Sequence, residues 1–143
     1  MKNLTRIALA LLLTTFTAGC CHCRSYQKKT QRPLTGTTWQ LIQLGGQSIR
    51  PEEGKFVVTF SVEKNRMTGR GACNRLSGSF QTDNKRMLRI DDIASTRMTC
   101  PDIGQEQAFL RALQSTTHYD MDGPMLLLLS DGELRAVFQA LDE

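Results

Sequence analysis

Histidine is nearly missing from this sequence: of 143 residues only His22 and His118 carry an imidazole. Chemistry built on paired histidines is thereby excluded, and His118, beside Tyr119 and Asp120, reads as a structural or solvated strand-end residue. Clustered cysteine and histidine at zinc-site spacing are also lacking in residues 35–143. "CCHC" at Cys20–Cys23 has suitable letters, yet Cys21, His22 and Cys23 lie in a polar stretch without a scaffold to hold a metal. Serines occur without a Gly-x-Ser-x-Gly elbow. Asp91 and Asp92 could supply paired carboxylates, but "IDDI" reads as a solvated turn at a strand end. No catalytic residue, metal ligand or cofactor is assigned. Internal repeats and low-complexity tracts are likewise absent.

The longest apolar run is short and stands at the front. Lys2 and Arg6 precede "IALALLLTTF", Ile7 to Phe16, too brief for a hydrocarbon core that needs about 20 residues. This is the build of a secretory signal over residues 1–19, outside the fold. "TAGC" then resembles a bacterial lipoprotein lipobox, which implies acylation of Cys20 as the mature N-terminus and attachment to a membrane through lipid. Thr17 departs from the leucine that the strict motif prefers. Residues 20–34 are polar and end near Pro33; they read as a flexible tether with a reach of ~20 Å.

Charge divides along the same boundary. The formal net charge is +4, of which Lys2 and Arg6 carry +2 and Arg24, Lys28, Lys29 and Arg32 carry +4. From residue 34 onward 12 basic residues face 14 acidic ones, a net −2. A nucleic-acid binder needs its basic face on the folded domain, so nucleic acid is not expected as a partner. A basic tether suits an anionic lipid surface.

Residues 35–143 have a typical single-domain length, and a monomer is expected. "KFVVTFSV" places Phe56, Val58 and Phe60 on one face, the period of a half-buried strand. "TTWQLIQL" runs into Gly45-Gly46, and "MLRIDDIA" alternates Leu88 and Ile90 with Arg89 and Asp91. "PMLLLLS" reads as a strand buried on both faces, and Asp131-Gly132 is a strong hairpin signal. "PDIGQEQAFLRALQSTT" changes period: Ile103, Phe109, Leu110 and Leu113 share a helical stripe. The expected fold is a small antiparallel β-barrel of about eight strands, with one α-helix inserted between strands five and six. Closing the sheet removes exposed edges.

One stretch, "GRGACNRLSGSF" at residues 69–80, holds more turn residues than a hairpin needs. Its Cys73, Asn74 and Gly78, then Thr96, Arg97, Met98 and Cys100, then Glu106, Phe109, Leu110 and Leu113, follow one another behind a Trp-bearing first strand. This order resembles the META/HslJ-like domain family of bacterial envelope proteins, over roughly residues 35–141. Ala72 and Phe80 depart from the family's frequent glycine and tyrosine. The resemblance implies a compact β-barrel-like fold, a cell-envelope location, no established enzymatic chemistry, and links to heat shock, antibiotic tolerance, secretion or motility.

Cys73 and Cys100 are the only cysteines in the domain, and an exported setting lets disulfides persist. A bond closing a loop of about 28 residues would stabilise by about 3.5 kcal/mol on the chain-entropy account; two buried free thiols are the alternative. Glycines and Asn74 would let the strand bend far enough, through close approach or positive φ. Arg97 and Glu106 are expected to form a structural ion pair, because a buried unpaired charge is costly; an anion- or partner-binding role for the arginine is the alternative. Asn74 and Arg75 are expected on an exposed loop. Three function classes follow: an envelope-anchored binding module for a protein or polymer, a small-barrel carrier of an apolar ligand, and an enzyme, which the residue inventory does not favour.

Overall fold

The computed structural model describes residues 25–26 and 29–141. The signal segment, Cys20 and most of the tether lie outside the described residues. Among the described residues nine strands and one main helix follow in order: β1 (Thr38–Leu44), β2 (Gln47–Ser48), β3 (Val57–Ser61), β4 (Arg66–Arg70), β5 (Arg75–Thr82), β6 (Leu88–Ser95), α1 (Ile103–Gln114), β7 (His118–Asp122), β8 (Met125–Ser130) and β9 (Glu133–Ala140). The two-residue β2 only folds back on the end of β1, antiparallel to it. The other eight form one curled antiparallel sheet in the order β6-β5-β4-β3-β1-β9-β8-β7, with the helix after the fifth of them. The architecture is therefore the expected one, in the form of a half-barrel.

Its two outer strands nearly meet. Met87 bridges His118, Leu88 N–H donates to the Thr117 carbonyl at 3.0 Å, and Tyr119 N–H donates to the Arg86 carbonyl at 3.0 Å. The exposed Arg86–Asp120 ion pair stands at the same seam. Since β6 and β7 are opposite ends of the sheet, the intervening α1 lies across the opening, where it packs on β6, β1 and β9.

Strand alternation puts Trp39, Leu41, Val58, Phe60, Met67, Leu88, Leu126, Leu128 and Phe138 in the core. The helix adds Phe109, Ala112 and Leu113. Phe109 meets Phe56 edge-on at 5.5 Å and tilts against Phe138 at 6.1 Å. Phe80 packs edge-on to Phe60 at 5.2 Å, so the position needs no hydroxyl. Trp39 Nε1 donates to the Leu34 carbonyl at 3.0 Å, which ties the incoming chain to the first strand.

Turn chemistry is local and clear. Asp131 and Gly132 both take positive φ, 50° and 85°, matching the twist of a tight hairpin. The apolar β8 differs from its expected burial on both faces. Leu126 and Leu128 are buried while Met125, Leu127 and Leu129 are half-covered, because the sheet has only one inner face.

Candidate functional site

The glycine-rich stretch forms the β4–β5 connection, residues 71–74. Gly71 N–H donates to the Asn74 carbonyl at 2.8 Å, and the Gly71 carbonyl accepts from Phe56 N–H at 3.2 Å. None of Gly69, Gly71 and Gly78 adopts positive φ; all three serve close approach. A Cβ on Gly69 would stand 2.5 Å from the Val57 carbonyl oxygen, and one on Gly78 would stand 2.8 Å from that of Asp91. At Gly71 the neighbour is the Glu106 carboxylate, whose Oε2 would lie 2.5 Å from an added Cβ. The missing side chain is the space the carboxylate occupies.

Glu106 projects from the buried stripe of α1 into that loop and is 1% exposed. Its Oε2 accepts from the backbone N–H groups of Cys73 (2.9 Å) and Asn74 (3.0 Å), and its Oε1 from Asn74 Nδ2 (2.6 Å). Burial pushes its pKa up, but these donors, with the Ala72 N–H, outweigh it and hold the carboxyl below its ordinary 4.5. The group is thus anionic and fully engaged at neutral pH.

Asn74 is the second hub, also 1% exposed. Its Oδ1 accepts from Met98 N–H at 2.6 Å and from the Thr96 hydroxyl at 2.8 Å, while Nδ2 also donates to the Met98 carbonyl at 2.9 Å. One side chain therefore joins the loop, the helix and the segment after β6. A disulfide between Cys73 and Cys100, with Cα atoms 6.2 Å apart, closes the same cluster.

Two expectations are corrected by this geometry. Glu106 does not pair with Arg97: its oxygens are taken by loop donors, and Arg97 is exposed with φ 58°. Asn74 is not on an exposed surface but buried, whereas Arg75 is exposed as the first residue of β5. The Asn74–Glu106 bond had a usable signal. Glu106, Phe109, Leu110 and Leu113 share one helical face, so the carboxylate must be buried and must find donors.

The other candidates stay apart from the cluster. His118 Nδ1 lies 3.1 Å from the Thr117 hydroxyl, and an open groove of about 360 Å³ runs past Met87, Gln114 and Asp131 beside it. Asp92 is exposed with φ 54° at an irregular stretch of the β5–β6 ladder. Among the described residues no group of three or more His, Cys, Asp or Glu could hold a metal, and no helix is long and apolar enough to cross a membrane.

A curled antiparallel half-barrel, with one helix across its opening and a disulfide-braced Asn–Glu cluster at the junction, defines the class. The chain belongs to the META domain family, whose model matches residues 32–142. Among solved structures it is similar to a protein from Burkholderia xenovorans determined by NMR, with 26% identity, a TM-score of 0.60, and coverage of 77% of this chain and 85% of that one. It also resembles a DUF4847 family protein from Bacteroides vulgatus, a crystal structure with 20% identity, a TM-score of 0.58, and coverage of 76% and 94%. At that identity the likeness concerns the fold alone. No curated protein matches the sequence.

Proposed function

We propose that the protein is a lipid-anchored, non-enzymatic interaction module of the cell envelope, held through Cys20 and meeting a protein or envelope polymer through its exposed loops. One observation carries this reading: the groups with most chemical potential are already engaged inside the fold. Glu106 accepts hydrogen bonds from the Cys73 and Asn74 N–H groups and from Asn74 Nδ2, and Asn74 uses both ends of its amide. The domain's two cysteines are joined to each other. Among the residues that face outward at this end are Arg75, Arg97 and Met98, side chains suited to recognition. The carrier reading finds less support, because Trp39, Phe60, Phe109 and Phe138 fill the interior.

Anchorage and interaction are tested separately. Cys20→Ser should release the chain from the membrane fraction or leave uncleaved precursor; wild-type fractionation and processing would refute the anchor. Cross-linking the full chain in intact envelopes should give discrete adducts, and a clean absence of adducts would count against an interaction module.

A further inference from the structure

The Asn74 cluster holds in place something that is itself exposed. Its amide binds both the N–H and the carbonyl of Met98, and the disulfide fixes the chain two residues later at Cys100. Directly before Met98, and after a Thr96 whose hydroxyl also donates to the Asn74 amide oxygen, Arg97 is exposed and takes a left-handed φ of 58°, an unfavourable conformation for a residue with a Cβ. Met98 is 55% exposed although its backbone is clamped. Bracing the start of α1 accounts for Cys100 and Glu106. It does not account for an outward arginine and methionine held in a strained turn.

A second observation comes from the sheet. Arg70 on β4 and Arg75 on β5 are direct cross-strand partners, and both are exposed. Like charges facing each other across a ladder repel. Neither they nor Arg97 form an ion pair among the described residues. The next ladder brings Arg97 close: Leu76 pairs with Ser95, and Arg75 N–H donates to the Thr96 hydroxyl at 3.3 Å. Three guanidinium-bearing residues thus sit on adjacent segments of one braced end, next to an exposed thioether.

We propose that Arg70, Arg75, Arg97 and Met98 form a preorganised docking surface for an acidic segment of a partner protein. This deepens the interaction-module reading and rests on it. Carboxylates match the guanidinium forks in charge and geometry, while an apolar side chain beside them covers Met98, a residue type that adapts to packed interfaces. A protein fits better than the anchoring bilayer. A tether from Cys20 reaches the domain where Thr35 bridges Phe60, whereas Arg70 pairs with Val57 at the other end of β3.

The test uses the full chain in detergent with its disulfide intact. The probe is a fluorescein-labelled peptide of alternating glutamate and leucine, read by anisotropy at low and high salt. The peptide should bind, more weakly as salt rises, and Arg97→Gln or the pair Arg70→Gln with Arg75→Gln should each weaken it about tenfold. Met98→Ser should weaken it with little change in the salt dependence. Thermal melts guard against unfolding: Arg75→Gln should melt at or above wild type, since it relieves the repulsion from Arg70. Absence of peptide binding, or binding indifferent to these substitutions, would overturn the proposal. So would preferential binding of phosphatidylglycerol vesicles through the same arginines. Envelope cross-links that survive all the arginine substitutions would remove this surface and leave the interaction module standing; loss of every cross-link in wild type would remove both.

Discussion

At the residue scale, Glu106 behaves as a structural anion. A glutamine there keeps the shape but turns an acceptor into a donor that faces the loop's own N–H groups. Glu106→Gln is therefore expected to cost about 1–3 kcal/mol, read by chemical denaturation. The pH dependence has a definite sign. The folded pKa lies below the ordinary 4.5, so this stabilisation is complete above that value and is lost as pH falls through the folded pKa. Wild type should lose stability on acidification below pH 4.5, and Glu106→Gln should lack that component; parallel acid profiles would contradict the assignment. Gly71 is the counterpart. Gly71→Ala places a methyl group against Oε2 and should destabilise wild type, but much less in a Glu106→Ala background where the space is empty. The two sites should show strong coupling in the cycle.

At the scale of elements, the junction among the β4–β5 loop, the post-β6 segment and α1 is braced twice, by the disulfide and by the polar cluster. Cys73→Ala with Cys100→Ala should lower stability by up to about 3.5 kcal/mol on the chain-entropy account. The Asn74 contacts should hold the fold together afterwards, so a cooperative melt is expected at lower temperature. Loss of cooperative unfolding in that variant would show the disulfide to be indispensable to the junction. Much of this was legible beforehand: two cysteines in one domain and a helix with its stripe on one face are local facts. The partner of Glu106 was not, because it is chosen by which donors the folded loop presents. The backbone N–H groups of Cys73 and Asn74 and the Asn74 amide saturate the carboxylate, and Arg97 is left to solvent.

At the scale of the whole molecule, the sheet joins distant parts of the chain. β9 lies between β1 and β8 and connects the meander β1-β3-β4-β5-β6 with the strands β7 and β8. It also covers the core with Ala136, Val137, Phe138 and Ala140. A chain ending at Ser130 should leave both halves with an open edge and an uncovered face. Circular dichroism should then show no cooperative melt, and Trp39, fully buried in the intact fold, should emit as a solvated indole.

The amino-acid sequence by itself determined the strand alternation, the single helix, the Asp131-Gly132 hairpin and the family motifs, because each depends on side chains close together along the chain. Only the tertiary structure decided that Gly69, Gly71 and Gly78 make room instead of turning left-handed, that Asn74 is a buried hub, and that Arg97 faces solvent. Those outcomes depend on backbone donors, packing distances and an unpaired charge brought together from β4, β5, the post-β6 segment and α1. Local periodicity carries no information about which of several polar groups reaches a buried carboxylate first.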